Sequence, residues 1–320
     1  MIGQGVGLVG WSLLAVVVGV VGVAWFWEDD LDGASVWRVW QFRVLVMQLH
    51  LACAVLALGV VALVWRRWWL AVVSALVAVV VGGVLWIGPR APEVAGLAGP
   101  TLRVVTANVY YRNPFPARAA ADVAAHDADL ILVQEWSTQH IAPFDAQLAE
   151  THPHRLSHPS DSPNGFAVYS KHPFRFEPTG MGRLDPKIRR LRLRWGDDEI
   201  VVYNVHPASP GSAAGVEANR LGSRLLSVAL AKETLPTIVA GDFNHTPNTW
   251  NADAIRSAGF VGIGGAGTWP FNHSAGWIWP KFRIDDMLVG NGLGIANTAT
   301  ASTTGADHQA VVSEVGFAAD

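Results

Sequence analysis

The sequence predicts a layered α/β domain preceded by three membrane-spanning helices. Three observations support this prediction. Apolar stretches fill most of the first 90 residues, strand and helix patterns alternate after residue 100, and polar side chains stand at the ends of the predicted strands. Hydrophobic residues make up 51% of the chain and charged residues only 15%, a balance typical of chains with membrane segments.

The apolar stretches cover residues 5–27, 44–65 and 68–87, and tryptophans stand at their ends. Each is close to the roughly 20 residues that a helix needs to cross a bilayer, and tryptophan favours the membrane interface. Buried core helices are the alternative, which three such runs in succession disfavour. A cleaved signal peptide is disfavoured because no basic segment precedes the first run. We predict a membrane anchor at residues 1–88, a Gly/Pro/Ala linker at 89–100 and a second domain at 101–320.

Charge leaves the membrane orientation open, because Arg66 and Arg67 in one loop oppose Arg38, Arg43 and Arg90 on the other side. Five of the 23 basic and five of the 26 acidic residues precede residue 101, so the second domain has 18 basic and 21 acidic residues. This balance disfavours a nucleic-acid partner, which requires a basic surface. The single cysteine excludes an internal disulfide and a cysteine-rich zinc site.

The second domain alternates short β-rich runs with helical ones, which favours a layered α/β fold. Helices are predicted at 116–126 and 215–233. Strands are predicted at 102–107, 129–134, 165–170, 189–195, 200–205, 237–240, 284–289 and 310–316. The run at 129–134 is continuously apolar, which is typical of a strand buried on both faces.

Polar residues stand where these strands begin or end. They are Asn108, Glu135, His206, Asp242, Asn244, Asp285, Asp307 and His308. Strand ends meet at one rim of an α/β domain, where ligands bind. The Glu135 carboxylate and the Asn108 amide oxygen suit a hard cation such as Mg²⁺. Each residue alone could be a helix cap or a turn former, but the whole set in this order favours a site.

The set resembles the endonuclease/exonuclease/phosphatase superfamily over residues 101–320. The matching motifs are Thr106-Ala107-Asn108-Val109, Gln134-Glu135, Asn204-Val205-His206, Gly241-Asp242-Phe243-Asn244, Arg283-Ile284-Asp285 and Ala306-Asp307-His308. The resemblance implies a four-layered α/β sandwich, in which two packed β-sheets are flanked by helices. It also implies a metal-dependent phosphoric ester hydrolase that uses Mg²⁺, with Mn²⁺ as the alternative ion.

The resemblance also implies roles for the residues. Glu135 binds the metal with Asn108 beside it and Asp307 near or on the ion. Asp242 orients or deprotonates water, while His206 and Asn244 hydrogen-bond phosphate oxygens. His308, oriented by Asp285, is a base or a phosphate-stabilising cation, and the choice stays open. This chain departs from relatives by an acidic residue at Asp286, and no separate carboxylate partner for His206 is identifiable.

Three membrane helices before such a domain resemble the VanJ-type teicoplanin-resistance membrane proteins. That resemblance implies a multi-pass cell-membrane protein with a cytoplasmic N-terminus and an extracytoplasmic catalytic domain. It also implies undecaprenyl pyrophosphate, or another lipid-linked phosphate, as substrate. A membrane-tethered phosphodiesterase or endonuclease is the enzymatic alternative, and a non-catalytic scaffold that binds a phosphorylated ligand is the other.

Three further features bear on specificity. The aromatic-rich segment 268–282 is either a packed loop or an apolar lip that contacts the membrane. Arg190, Arg192 and Arg194 share one strand face, which indicates a solvated face more than a pyrophosphate clamp. The histidines at 152, 154 and 158 lie among prolines in a predicted loop, where metal binding is disfavoured.

Overall fold

The computed structural model describes residues 96–179, 187–247, 249–262, 264–270 and 281–319, and a few isolated positions between 55 and 75. The three predicted membrane stretches lie almost wholly outside these residues. The predicted orientation in the membrane therefore also concerns residues outside the described part. Within the part that is described, no helix has both the length and the apolar character needed to span a bilayer.

The domain is built from twelve strands and four helices within the described residues. The strands are β1 (Leu97–Asn108), β2 (Leu130–Gln134), β3 (His154–His158), β4 (Phe166–Ser170), β5 (Phe174–Glu177), β6 (Ile188–Trp195), β7 (Asp198–Val205), β8 (Thr237–Asp242), β9 (Val261–Gly262), β10 (Asp285–Gly290), β11 (Leu293–Ser302) and β12 (Gln309–Ala318). The helices are α1 (Pro116–Ala124), α2 (Thr138–Leu148), α3 (Ala213–Leu230) and α4 (Trp250–Ser257).

The strands form two six-stranded mixed sheets. The first has the order β11-β12-β1-β2-β4-β3, and the second has the order β5-β6-β7-β8-β10-β9. At the centre of each sheet one pair is parallel, β1 with β2 and β7 with β8, and the other pairs are antiparallel. The parallel pairs place the carboxyl ends of four central strands at the same edge of the domain.

Apolar side chains divide into three buried layers, as a four-layered sandwich requires. The central layer joins the sheets through residues such as Leu132 and Val202. A second layer packs α1 and α2 on the outer face of the first sheet, with Phe144 at its centre. A third packs α3 and α4 on the second sheet through residues such as Leu226 and Ile255. The predicted sandwich of two packed sheets between helices is confirmed.

All the predicted strands and both predicted helices form, with small shifts at their ends, and β2 is fully buried as predicted. Two expectations need correction. The predicted loop with three histidines contains the edge strand β3, because His154–His158 pairs with β4. Residues 97–100 of the predicted linker belong to β1, because Leu97 and Ala98 pair with the end of β12.

Arg190, Arg192 and Arg194 of β6 share a face as predicted, and that face points away from the partner sheet. Arg190 binds Glu233, with its Nε 2.7 Å from Oε1, and also pairs with Glu177. Arg192 pairs with Glu177 and Glu199 at 3.2 and 3.3 Å. Arg190 and Arg192 are committed to ion pairs within the protein, so the structure gives no support to a pyrophosphate clamp on this face.

Candidate active site

Side-chain alternation carries the inner face of several strands directly into the site. On β1, Leu102 and Val104 lie in the layer between the sheets, and Asn108 continues the same face. On β8, Ile238 and Ala240 lie in that layer and Asp242 continues it. Similarly, His206 continues the inner face of β7, and Asp285 that of β10. The rim predicted from strand ends is therefore the open edge of the space between the two sheets.

A buried amide layer separates the apolar core from this rim. Gln134 Nε2 donates to Thr106 Oγ1 at 3.0 Å and, across the sheets, to Asn204 Oδ1 at 2.8 Å. The Asn204 amide donates in turn to the Val133 carbonyl. Because buried polar groups are costly unless they are paired, this layer sets the spacing of the two sheets beneath the site.

Glu135 leaves the alternation of β2 through a left-handed backbone. Its φ is +55°, an uncommon conformation for a residue with a Cβ. The turn brings Oε1 to 3.2 Å from Asn108 Nδ2, and Oε2 accepts from the Tyr111 backbone N–H at 3.3 Å. Such backbone outliers persist where surrounding contacts hold them, and they cluster at functional sites. The turn at Glu135 directs a carboxylate into the rim.

Asp242 lies at the centre of the site and is almost fully buried. Its Oδ2 accepts from Asn108 Nδ2 at 3.1 Å, and its Oδ1 accepts from the Asn244 backbone N–H at 2.8 Å. Asn244 also has a left-handed backbone, with φ +53°. Burial alone would raise the pKa of Asp242, but His308 and His206 outweigh it and lower that pKa to about 2. Asp242 is therefore a carboxylate at neutral pH.

His308 forms a buried pair with Asp285. Its Nδ1 donates to Asp285 Oδ2 at 2.8 Å, and its Nε2 lies 3.8 Å from Asp242 Oδ2. Burial alone would lower the pKa of His308, but the charges of Asp285 and Asp242 outweigh it and raise that pKa to about 10. The pair favours an imidazolium whose Nε2–H faces the rim. This state suits the role of a phosphate-stabilising cation, one of the two roles that the resemblance implies.

His206 lies between two carboxylates, Glu135 of the first sheet and Asp242 of the second. Its Nε2 is 3.5 Å from Asp242 Oδ2 and 3.9 Å from Glu135 Oε1. The carboxylates near His206 are thus the predicted catalytic and metal-binding acids themselves. Asp286 points away from the site and pairs with Arg283, as strand alternation predicts.

Asp307 is held by an indole. Its Oδ2 accepts from Trp269 Nε1 at 3.1 Å, and the Trp269 ring lies 6.4 Å from the His308 ring. The preceding Thr268 Oγ1 accepts from the backbone N–H of Asp285. Residues 268 and 269 therefore connect the segments that carry Asp285 and Asp307. Among the described residues, no hydrogen bond or ion pair joins Asp307 to Glu135.

Two residues of the site were not predicted from the sequence as members of it. Trp269 was grouped with the aromatic segment 268–282, whose residues 271–280 lie outside the described part. At its described ends, Trp269 and Phe282 stack on each other with ring centroids 6.1 Å apart. Lys187 lies opposite His206, whose backbone N–H donates to the Lys187 carbonyl at 2.7 Å. Only the pairing of β6 with β7 could reveal Lys187, since no local motif marks it.

The donor chemistry of the rim fits a hard divalent cation around Glu135. Glu135 and Asp307 offer carboxylate oxygens, which such ions prefer. Asn108 turns its amide nitrogen toward Glu135, while its oxygen accepts from Tyr110 N–H. In this arrangement Asn108 positions Glu135 and Asp242.

Asp242, Asp285 and His308 also place donor atoms within 4.8 Å of one another, a spacing that could hold a metal ion. His308 Nδ1 already donates to Asp285, so its Nε2 is the atom that could ligate an ion, and the raised pKa of His308 favours a proton there instead. The charges of this group therefore suit proton and charge chemistry, whereas the carboxylate donors at Glu135 and Asp307 suit a hard metal ion.

Comparison with known proteins agrees with this geometry. The sequence profile described as the endonuclease/exonuclease/phosphatase family matches residues 105–308. Among curated protein sequences, none matches the chain.

Several solved structures share the fold. An endonuclease/exonuclease/phosphatase from Beutenbergia cavernae aligns with a TM-score of 0.52 and 19% identity, covering 68% of this chain and 72% of that chain. One from Bacteroides vulgatus aligns with a TM-score of 0.52 and 16% identity, covering 68% and 100%. A humanized D. rerio TDP2 aligns with a TM-score of 0.55 and 11% identity, covering 68% and 99%. At these identities the likeness establishes the fold alone.

Proposed function

Because the chain belongs to the endonuclease/exonuclease/phosphatase family, whose members hydrolyse phosphoesters, we propose that it is a membrane-anchored hydrolase of a lipid-linked phosphate or pyrophosphate. The observation that carries the hydrolase assignment is the buried His308–Asp285 pair facing the Asp242 carboxylate. The membrane setting rests on the three apolar stretches before residue 88 and on the resemblance to VanJ-type proteins.

The reaction requires water to attack phosphorus while the bond from phosphorus to the leaving oxygen breaks. Asp242 accepts a hydrogen bond from that water, because it stays ionised beneath the rim. The Nε2–H of His308 donates to a non-bridging oxygen, where negative charge grows in the transition state. His206, 3.5 Å from Asp242, provides a second donor beside the same position.

A divalent metal completes this set in the proposal. Enzymes of this family generally use such ions, and Glu135 and Asp307 would hold one here. We propose Mg²⁺, with Mn²⁺ as the alternative. When bound, the ion neutralises phosphate charge and polarises the phosphoryl oxygen. Asn108 orients Glu135 through the 3.2 Å hydrogen bond, and Tyr111 N–H fixes the other carboxylate oxygen.

A lipid-linked substrate fits the chain better than a nucleic acid does. The domain has no excess of basic residues, with 18 against 21 acidic ones after residue 100. Three of the arginines on β6 lie on its outer face, and two of these are bound in ion pairs. An anchor would keep the site close to a membrane substrate and raise its effective concentration. We place the domain outside the cytoplasmic membrane by the same VanJ-type resemblance.

The test uses the full-length protein in detergent and measures phosphate release from undecaprenyl pyrophosphate with Mg²⁺. EDTA and the His308→Ala variant should abolish release, whereas His158→Ala, at an exposed position on β3, should leave it unchanged. A parallel assay follows nicking of plasmid DNA. Nicking without phosphate release would replace the lipid substrate by the nuclease alternative. A protein that binds the lipid but hydrolyses neither substrate would be the scaffold alternative.

A further inference from the structure

Lys187 extends the antiparallel ladder between β6 and β7 by one residue into the site. Ile188 pairs with Val205, and the next hydrogen bond runs from His206 N–H to the Lys187 carbonyl at 2.7 Å. Residues directly opposite in such a ladder project from the same face. Lys187 is the residue just before β6 and lies opposite His206. Because the carboxylates of Glu135 and Asp242 both act on its amine, its side chain lies on the face of His206.

The position of β6 in the sheet gives Lys187 its place on the rim. The strand order β6-β7-β8-β10 sets out Lys187, His206, Asp242 and Asp285 side by side. Neighbouring strands are about 4.8 Å apart. Lys187 is thus one strand farther from Asp242 than His206 is, on the side away from the His308–Asp285 pair.

The Lys187 amine is partly buried and lies in the field of the catalytic acids. Burial lowers its pKa, and the carboxylates of Glu135 and Asp242 offset part of that change. The ion pairs among the described residues do not include Lys187. The neighbouring Arg189, by contrast, packs its guanidinium over the Phe166 ring at 4.1 Å. Of these two basic residues, Lys187 is the one whose amine lies near the carboxylates of the rim.

We propose that Lys187 binds a second phosphate group of the substrate, next to the phosphate that is attacked, and so selects pyrophosphates over phosphodiesters. The inference rests on the proposed hydrolase function and narrows its substrate class. Asp242, His206 and His308 surround the reacting phosphate, so a cation one strand away matches the adjoining phosphate group. A diester carries no second anionic group for the amine to bind, and a lysine ammonium binds phosphate as a point charge.

The experiment compares the full-length protein with Lys187→Gln, Lys187→Arg and Lys232→Gln, a matched change at an exposed lysine. Calorimetry measures binding of inorganic pyrophosphate at fixed Mg²⁺. Steady-state kinetics follow a polyprenyl pyrophosphate and the diester bis(p-nitrophenyl) phosphate. For Lys187→Gln we expect about tenfold weaker pyrophosphate binding and an equal rise in the KM of the pyrophosphate substrate. The KM of the diester should stay within about twofold, Lys187→Arg should restore binding, and Lys232→Gln should match the wild type.

The binding and kinetic readouts separate the two proposals. If the wild type hydrolyses no pyrophosphate but Lys187→Gln still weakens its binding, the hydrolase proposal fails and the Lys187 site stands. If Lys187→Gln leaves pyrophosphate binding unchanged, or lowers kcat equally on both substrates, Lys187 only balances the charge of Glu135 and Asp242 and the inference is overturned. Should Lys187→Gln fold poorly, Lys187→Met gives the same comparison, with melting temperature as the check on folding.

Discussion

Two histidines are buried in their neutral form, and together they should make the domain sensitive to mild acid. His140 packs on the Trp136 ring with centroids 5.4 Å apart, and its Nδ1 accepts from Ser137 N–H at 3.2 Å. His245 is buried beside Phe243. Burial lowers the pKa of each imidazole from 6.5 to about 4. The folded state therefore excludes a proton that the unfolded chain takes up below pH 6.5.

The sign and size of this change in stability with pH follow from proton linkage. Each histidine contributes stability that is fully present above pH 6.5 and is lost as the pH falls toward 4. A depression from 6.5 to about 4 corresponds to about 3 kcal/mol per histidine at most, at about 1.4 kcal/mol for each pKa unit. Between pH 4.5 and 6 each histidine should therefore add a slope of about 1 kcal/mol per pH unit to the free energy of unfolding.

Urea unfolding at several pH values, followed by circular dichroism, measures this slope. His140→Gln and His245→Gln should each lower by about one the number of protons taken up on unfolding in this pH range. This holds whatever their effect on stability at neutral pH. His158→Gln, at an exposed position, should leave the slope as in the wild type. A variant whose stability depends on pH in the same way as the wild type would refute the argument that burial keeps that histidine neutral.

Three further predictions concern the site and the fold. Asp285→Asn removes the carboxylate 2.8 Å from His308 Nδ1, so kcat should fall by about 10³-fold with KM little changed; an unchanged kcat would contradict the pair's role. Trp269→Phe removes the N–H that holds Asp307 and should raise the Mg²⁺ concentration for half-maximal activity about tenfold. In an Asp307→Asn background, Trp269→Phe should then have no further effect, and additive losses would show that the two side chains act separately. Gly165→Ala would put a Cβ 1.8 Å from the Trp136 carbonyl oxygen and should destabilise the domain by about 3 kcal/mol in urea titration; near-wild-type stability would mean that the loop yields.

The sequence by itself predicted eight of the twelve strands of the described domain, and where the polar residues stand on them. Alternation within each strand is local, so it puts Asn108 on the face of Val104 and Asp242 on the face of Ala240. Because both strands are buried on both faces, only the fold decided which face meets the other sheet. The opposite direction of Asp286 followed from the same rule, and the structure agrees. The motifs also identified the family, because their order along the chain is a property of the sequence.

Tertiary structure alone decided the contacts that join separate segments. The left-handed turn at Glu135, the indole that holds Asp307 and the ladder that places Lys187 beside His206 involve residues far apart in sequence or a backbone conformation that no local pattern marks. The sequence likewise indicated no partner for Arg190, and only the fold brings Glu177 and Glu233 to it. Local patterns specify which face a side chain takes, whereas the partner that it meets depends on how the two sheets pair and pack.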